Sequence, residues 1–204
     1  MITEWGTIQA LALASLLAWA SGVRLYLAIF VVGLAGYLGY VELPAGLHVL
    51  QHPWVLGAAG MMLLMEFTVD KVPAIDSLWD AIHTFIRIPA GALLAAGATG
   101  DTLSALTVAA GLLGGTITAG THLTKAGARA LINTSPEPFT NWGASFGEDV
   151  LVLGAIWFAF QHPVAFLIAL ALFVALMIWL LPKVWRGLKA VFRFTSRRET
   201  PAGG

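Results

Sequence analysis

The sequence predicts an all-α, polytopic membrane protein of about seven transmembrane helices. Of its 204 residues, 58% are hydrophobic and only 11% charged, with a mean hydropathy of +0.83; soluble domains carry roughly 25% charged residues. The apolar residues fall into seven runs, at 5–23, 25–41, 53–65, 88–100, 102–121, 150–161 and 163–181. Threading those runs through a bilayer also places every Lys and Arg on one side, as the bias of cytoplasmic loops requires.

The first run follows an acidic start, MITEW, where a cleaved signal would carry basic residues, so it reads as a span. Only Arg24 separates it from the second. The third, fourth and sixth runs are shorter than the roughly 20 residues that cover about 30 Å of hydrocarbon. Their spans must therefore be completed by residues from the flanking charged stretches. With seven spans and the basic tail inside, Arg24, Lys71, Arg87, Lys125 and Arg129 all come out cytoplasmic and the N-terminus outside. A six-span topology would put Lys125 and Arg129 opposite Lys71.

Residues 1–182 form the transmembrane domain on this reading. Gln51-His52-Pro53 opens the third run and Gln161-His162-Pro163 the seventh. Either these mark parallel three-helix repeats (5–70 and 103–181) joined by a central helix, or they are simply helix starts with Pro at the first position. Glycines at 22, 33, 36 and 39, and at 111, 114, 115 and 120, suit close helix packing. Trp5, Trp19, Trp54, Trp157 and Trp179 lie near run ends, as an interfacial belt would. Residues 183–204 hold six of the eleven Lys and Arg residues. Their first part reads as an amphipathic helix on anionic lipid headgroups and the rest as a disordered tail. With no cysteine, disulfides, thiolate metal sites and Cys nucleophiles are excluded; a formal net charge of zero argues against nucleic acid.

The stretch from Glu66 to Pro89 breaks the apolar pattern with Glu66, Asp70, Lys71, Asp76, Asp80, His83 and Arg87. Charges at membrane depth are costly, and they mark function by default. Counting inward from the outer loops at 1.5 Å per residue, Glu66, Arg87 and Glu148 all arrive at about 20 Å. Asp149 lies beside Glu148, with Asp70 and His83 a turn deeper and Arg24 and His122 deeper still. The expected site is a polar chamber open to the cytoplasm. Its floor is Glu66, Arg87, Glu148 and Asp149, and its rim is Arg24, Asp70, Lys71, His83, His122, Lys125 and Arg129. Three acids facing one deep Arg call for a proton or a bound cation, the one cofactor the site suggests; buried ion pairs that fix helix register are the structural alternative.

Asp76, Asp80, His83 and Arg87 share one helix face, and His122, Lys125 and Arg129 another. Asp76 also reads as the N-cap of its helix after Pro73, and Asp80 as the orienter of a His83 base. Asp76, Asp80, His83 and His122 are the candidate metal ligands, without compact ligand spacing. Between the fifth and sixth runs, Asn133 to Trp142 holds two prolines around Glu137 and forms either a fixed connector or a lid that brings Glu137, Asn133 and Asn141 to the chamber.

The segment from Glu66 to Arg87, with SPEPFTNW (Ser135 to Trp142) and GED (Gly147 to Asp149), resembles an uncharacterised bacterial family of small integral membrane proteins, catalogued only as a domain of unknown function. The resemblance implies a bacterial inner membrane and no substrate. Three functions fit: a carrier for an ion or small metabolite, with the acids binding a cation or proton; an enzyme using Mg²⁺ at Asp76 and Asp80 on a lipid phosphate; or an assembly subunit. A homodimer is an expectation from size alone.

Overall fold

A computed structural model describes residues 6–100, 104–133 and 138–198. Among the described residues all regular structure is helical: α1 (Thr7–Tyr37), a short 3-10 helix (Ala45–Gln51), α2 (Pro53–Val69), α3 (Pro73–Ala98), α4 (Ala105–Ile132), α5 (Pro138–Gln161) and α6 (Pro163–Arg198). Five helices are long and apolar enough to cross a bilayer, and a sixth span results if the 3-10 helix and α2, bent by 67°, cross together.

The first two apolar runs share α1, which breaks at one non-helical residue, Arg24 (φ −144°, ψ 76°). Neighbours of the two arms show that the chain turns back there. Before the break, Gln9 and Leu13 share a small cavity with Ala159 and Phe160 at the end of α5, and Gly22 packs on Thr118 and His122 of α4. After it, Gly33 packs on Leu50 and Leu56 and Gly36 on Gln51, next to the start of α2, while Gly46 sits against Gly97 near the end of α3. Both arms thus open toward the face that carries the α3–α4 and α5–α6 connections, and Arg24 is the apex. Taken as two arms, α1 and the remaining helices match the seven runs one for one. Irregular backbone at membrane depth is tolerated only where protein buries it, and α1 is the most enclosed helix of the bundle.

Polarity is arranged inside out. Leu64, Leu112, Leu172 and Ile178 are exposed, whereas Arg24, Arg87 and Arg129 are buried. A chain in water would invert this; hydrocarbon outside and charge inside is what a bilayer solvent selects.

Glycines let both arms of α1 pack closely on their neighbours. A methyl group at Gly22 would stand 2.7 Å from the Thr118 carbonyl oxygen, and one at Gly33 2.4 Å from that of Leu50. Pro53 and Pro163 each begin a helix, and His52 caps α2 by accepting from the Trp54 N–H at 3.3 Å. The short third, fourth and sixth runs do extend through their charged neighbours, since α2 includes Glu66, α3 begins at Pro73 and α5 at Pro138.

One expectation is corrected. Asp76 is not the N-cap of α3; Val72 holds that place with Pro73 next, and Asp76 lies in the first helical turn. The basic segment after Pro182 is helical, continuing α6 to Arg198. Residues 199–204 and Glu137 lie outside the described residues.

Candidate functional site

Four helices each deliver polar residues along one stripe at three- and four-residue spacing: Glu66 and Asp70 on α2; Asp76, Asp80, His83 and Arg87 on α3; Thr118, His122, Lys125 and Arg129 on α4; Asn141, Ser145 and Glu148 on α5. The stripes meet at the α1 apex. There Arg24, Arg87, Lys125 and Arg129 pair with Glu66, Asp70, Asp80, Glu148 and Asp149 in a continuous network.

Arg24 is the hub. Its guanidinium donates to Asp70 and, through the other terminal nitrogen, to the carbonyl (2.9 Å) and hydroxyl (2.6 Å) of Ser145. Its Nε lies 2.9 Å from Asp149 and 3.4 Å from Glu148. Arg87 pairs with Glu66 at 2.5 Å and Asp80 at 3.4 Å, and it also donates to the Gly22 and Val23 carbonyls at 3.4 and 3.3 Å. Those carbonyls end the first arm of α1, where the chain break removes their intrahelical partners. Lys125 donates to the Val23 carbonyl at 3.0 Å. Arg129 grips Glu148 with two parallel bonds of 2.9 and 3.1 Å, and donates to the Asn141 carbonyl at 3.2 Å. Such forked pairing is the strong form of an Arg–carboxylate contact.

Glu66, Arg87 and Glu148, placed at one depth by counting, do belong to one layer. Glu66 and Glu148 lie 4.0 and 3.4 Å from the same Lys125 ammonium. The expected division into floor and rim does not hold, because the long side chains of Arg24, Lys125 and Arg129 reach into the same layer as the acids. The charge count is also revised: instead of three acids around one Arg, five carboxylates face four cations among the described residues. Nor is the layer an open chamber here. Arg24, Glu66, Asp70 and Arg87 have no exposed side-chain surface, whereas Glu148 and Asp149 keep 16% and 18%.

The remaining predicted residues divide. Asp76 is buried beside the layer and accepts from Asn133 Nδ2 at 3.2 Å. His83 is buried too, but Asp80 does not orient it. Its Nδ1 donates to the Trp79 carbonyl at 2.9 Å, Trp79 stacks on its ring, Tyr26 meets the ring edge-on, and Nε2 has no hydrogen-bond partner. His122 shares a 2.7 Å hydrogen bond with Thr84. Lys71 points elsewhere, its ammonium 3.2 Å over the Phe67 ring. Among the described residues, no three His, Asp or Glu side chains form a group able to hold a metal ion, so Asp76, Asp80, His83 and His122 do not assemble as ligands.

Sequence reasoning passed over Ser145, Thr84 and the Gly22 and Val23 carbonyls. Ser145 was within reach, lying between Asn141 and Glu148 on the same stripe; backbone carbonyls leave no trace in residue identity.

Fold and site together define a polytopic helical membrane protein with a buried layer of ionisable residues at a helix break. The chain belongs to the family described as a domain of unknown function, DUF4126, whose model matches residues 11–183. No curated protein and no solved structure matches it.

Proposed function

We propose that this protein is a small carrier of the bacterial inner membrane whose buried layer binds a proton or a monovalent cation during transport, with the N-terminus outside and the basic end of α6 in the cytoplasm. The observation that carries the reading is the imbalance of the layer: five paired carboxylates against four cations, with Asp76 beside them as a further buried acid. An unneutralised carboxylate away from water is so costly that the group takes up a proton or a cation instead. Glu66 Oε2 and Asp70 Oδ1 are buried and accept no hydrogen bond from the described residues, so acceptor capacity remains in the middle of the layer. The helix break supports the same reading. Discontinuous helices put backbone carbonyls at membrane depth, where transporters use them for coupling ions.

Glu148 and Asp149 are the entry point, being the partly exposed members of the layer. His83, with Nδ1 committed to a carbonyl, keeps Nε2 as a proton acceptor at the edge. The lipid bilayer, anionic headgroups at residues 183–198 and a second copy of the chain are the proposed partners. The lipid-phosphate enzyme finds less support, since Asp76 and Asp80 are buried instead of presented to a headgroup.

The test is reconstitution into liposomes holding a pH-sensitive dye, with imposed Na⁺ or K⁺ gradients. Protein-dependent dissipation of a pH difference, reduced by Glu66→Gln to the rate of empty vesicles, is expected. Rates equal to empty vesicles for the unaltered protein in every gradient would overturn the reading.

A further inference from the structure

Lys125 stands apart from the three arginines of the layer. Each arginine is held by two or more hydrogen bonds, several to carboxylates, whereas the Lys125 ammonium has one described hydrogen bond, to the Val23 carbonyl at 3.0 Å. Around it are the carboxylate oxygens of Glu148 at 3.4 Å, Asp80 at 3.8 Å and Glu66 at 4.0 Å. These four oxygens come from four elements: α1 at its break, α5, α3 and α2. None of them is local to Lys125 on α4. One oxygen of the set, Asp80 Oδ1, is buried and accepts no hydrogen bond among the described residues, its neighbours being the Lys125 ammonium and the Arg87 guanidinium at 3.4 Å.

A backbone carbonyl at a helix break and converging carboxylates from separate helices are the oxygen donors that replace the hydration shell of a hard monovalent cation. Lysine is a compact point charge on a flexible stem, unlike the planar fork of arginine. We infer that the position of the Lys125 ammonium is a monovalent-cation site which the protein fills with its own tethered cation, so that with Lys125 in place no three acids among the described residues are open to a metal ion. The ammonium is close to K⁺ in size, so K⁺ is the first expected occupant when the tether is removed, with Na⁺ second. Lys125 in place closes the site; withdrawal of Lys125 opens it to a solute cation. The inference deepens the carrier reading and rests on it for its purpose, but the site itself is a matter of binding.

The test is thermal unfolding of purified protein in detergent, in KCl, NaCl or choline chloride at equal ionic strength. Lys125→Ala leaves the acids short of one more cation and leaves room beside them. K⁺ should raise its Tm above the choline value by about 3 °C or more, as a bound ligand does for a chain of this size. The shift between salts should be smaller in the unaltered protein and in Lys125→Arg than in Lys125→Ala. Lys125→Ala combined with Glu66→Gln should lose most of the shift, because the charge that demands the ion is gone. Recovery of folded Lys125→Ala in K⁺ but not in choline also supports the site. Equal Tm in all three salts, or no folded Lys125→Ala in any of them, overturns it. Unfolding is read without flux, so a failure here leaves the liposome result standing, and a failure there leaves the site.

Discussion

Arg24, where α1 breaks, donates to Asp70, the residue that caps the C-terminal end of α2. Two helix ends are thereby fastened by one buried ion pair, and Ser145 brings α5 to the same guanidinium. Removing one partner of a buried pair leaves an uncompensated charge, at a cost of about 3–5 kcal/mol. Arg24→Gln should therefore lower the unfolding free energy in detergent by that amount. Arg24→Lys should recover little of it, because a point charge cannot reach Asp70, Ser145 and Asp149 together. Near-complete rescue by lysine would show that charge alone matters at the apex.

Arg129 and Glu148 make the best-aligned pair of the layer. A double-mutant cycle with Arg129→Gln and Glu148→Gln should return a coupling of about 0.5–3 kcal/mol, the range for residues in direct contact. Because Arg129 also faces Asp70 and donates to the Asn141 carbonyl, and its loss deepens the excess of acid, the Arg129 single variant should be the more damaging of the two. Additive losses would mean that the fork contributes nothing measurable.

Close backbone approach makes a separate prediction. Gly33→Ala should destabilise by about 1–3 kcal/mol as an overpacked site, since its methyl would press on the Leu50 carbonyl. Gly57→Ala meets nothing within 4 Å and should stabilise α2 by about 0.5–1 kcal/mol. Thermal unfolding of the two variants side by side reads both signs.

How far the sequence reached can be judged from particular residues. Glu66, Arg87 and Glu148 could be placed at one level because helical rise is constant and apolar runs give an origin for the count. Arg24 is legible as the turn between the first two runs, because it is the one charge that separates them. Its role as hub is not, because its partners come from helices distant in sequence. Lys125 and Arg129 were set on a rim because counting follows Cα positions, while their side chains reach a turn or more inward. Asp76 was mistaken for a cap because an acid after a proline suits both a cap and a first turn.

Lack of native cysteine makes accessibility mapping clean. A cysteine introduced at Gly147, which faces open space, should react rapidly with a thiol reagent in detergent, and one at the buried Ser145 should not. In intact cells a cysteine at the exposed Val49 should react with an impermeant reagent, while one at Lys71 should react only in inverted vesicles. The reverse pattern would invert the proposed orientation.

The position of Arg24 at the turn of α1 has a consequence for biogenesis. Its hydrogen-bonding and ion-pair partners (Glu66, Asp70, Ser145, Glu148 and Asp149) all lie later in the chain. During vectorial synthesis α1 thus precedes every one of the partners of its buried charge. Until Glu66 and Asp70 emerge, the hairpin carries a cation that hydrocarbon rejects, and only α5 completes its set of partners. Assembly is therefore closed from the C-terminal half, and any truncation before Ser145 strands the apex.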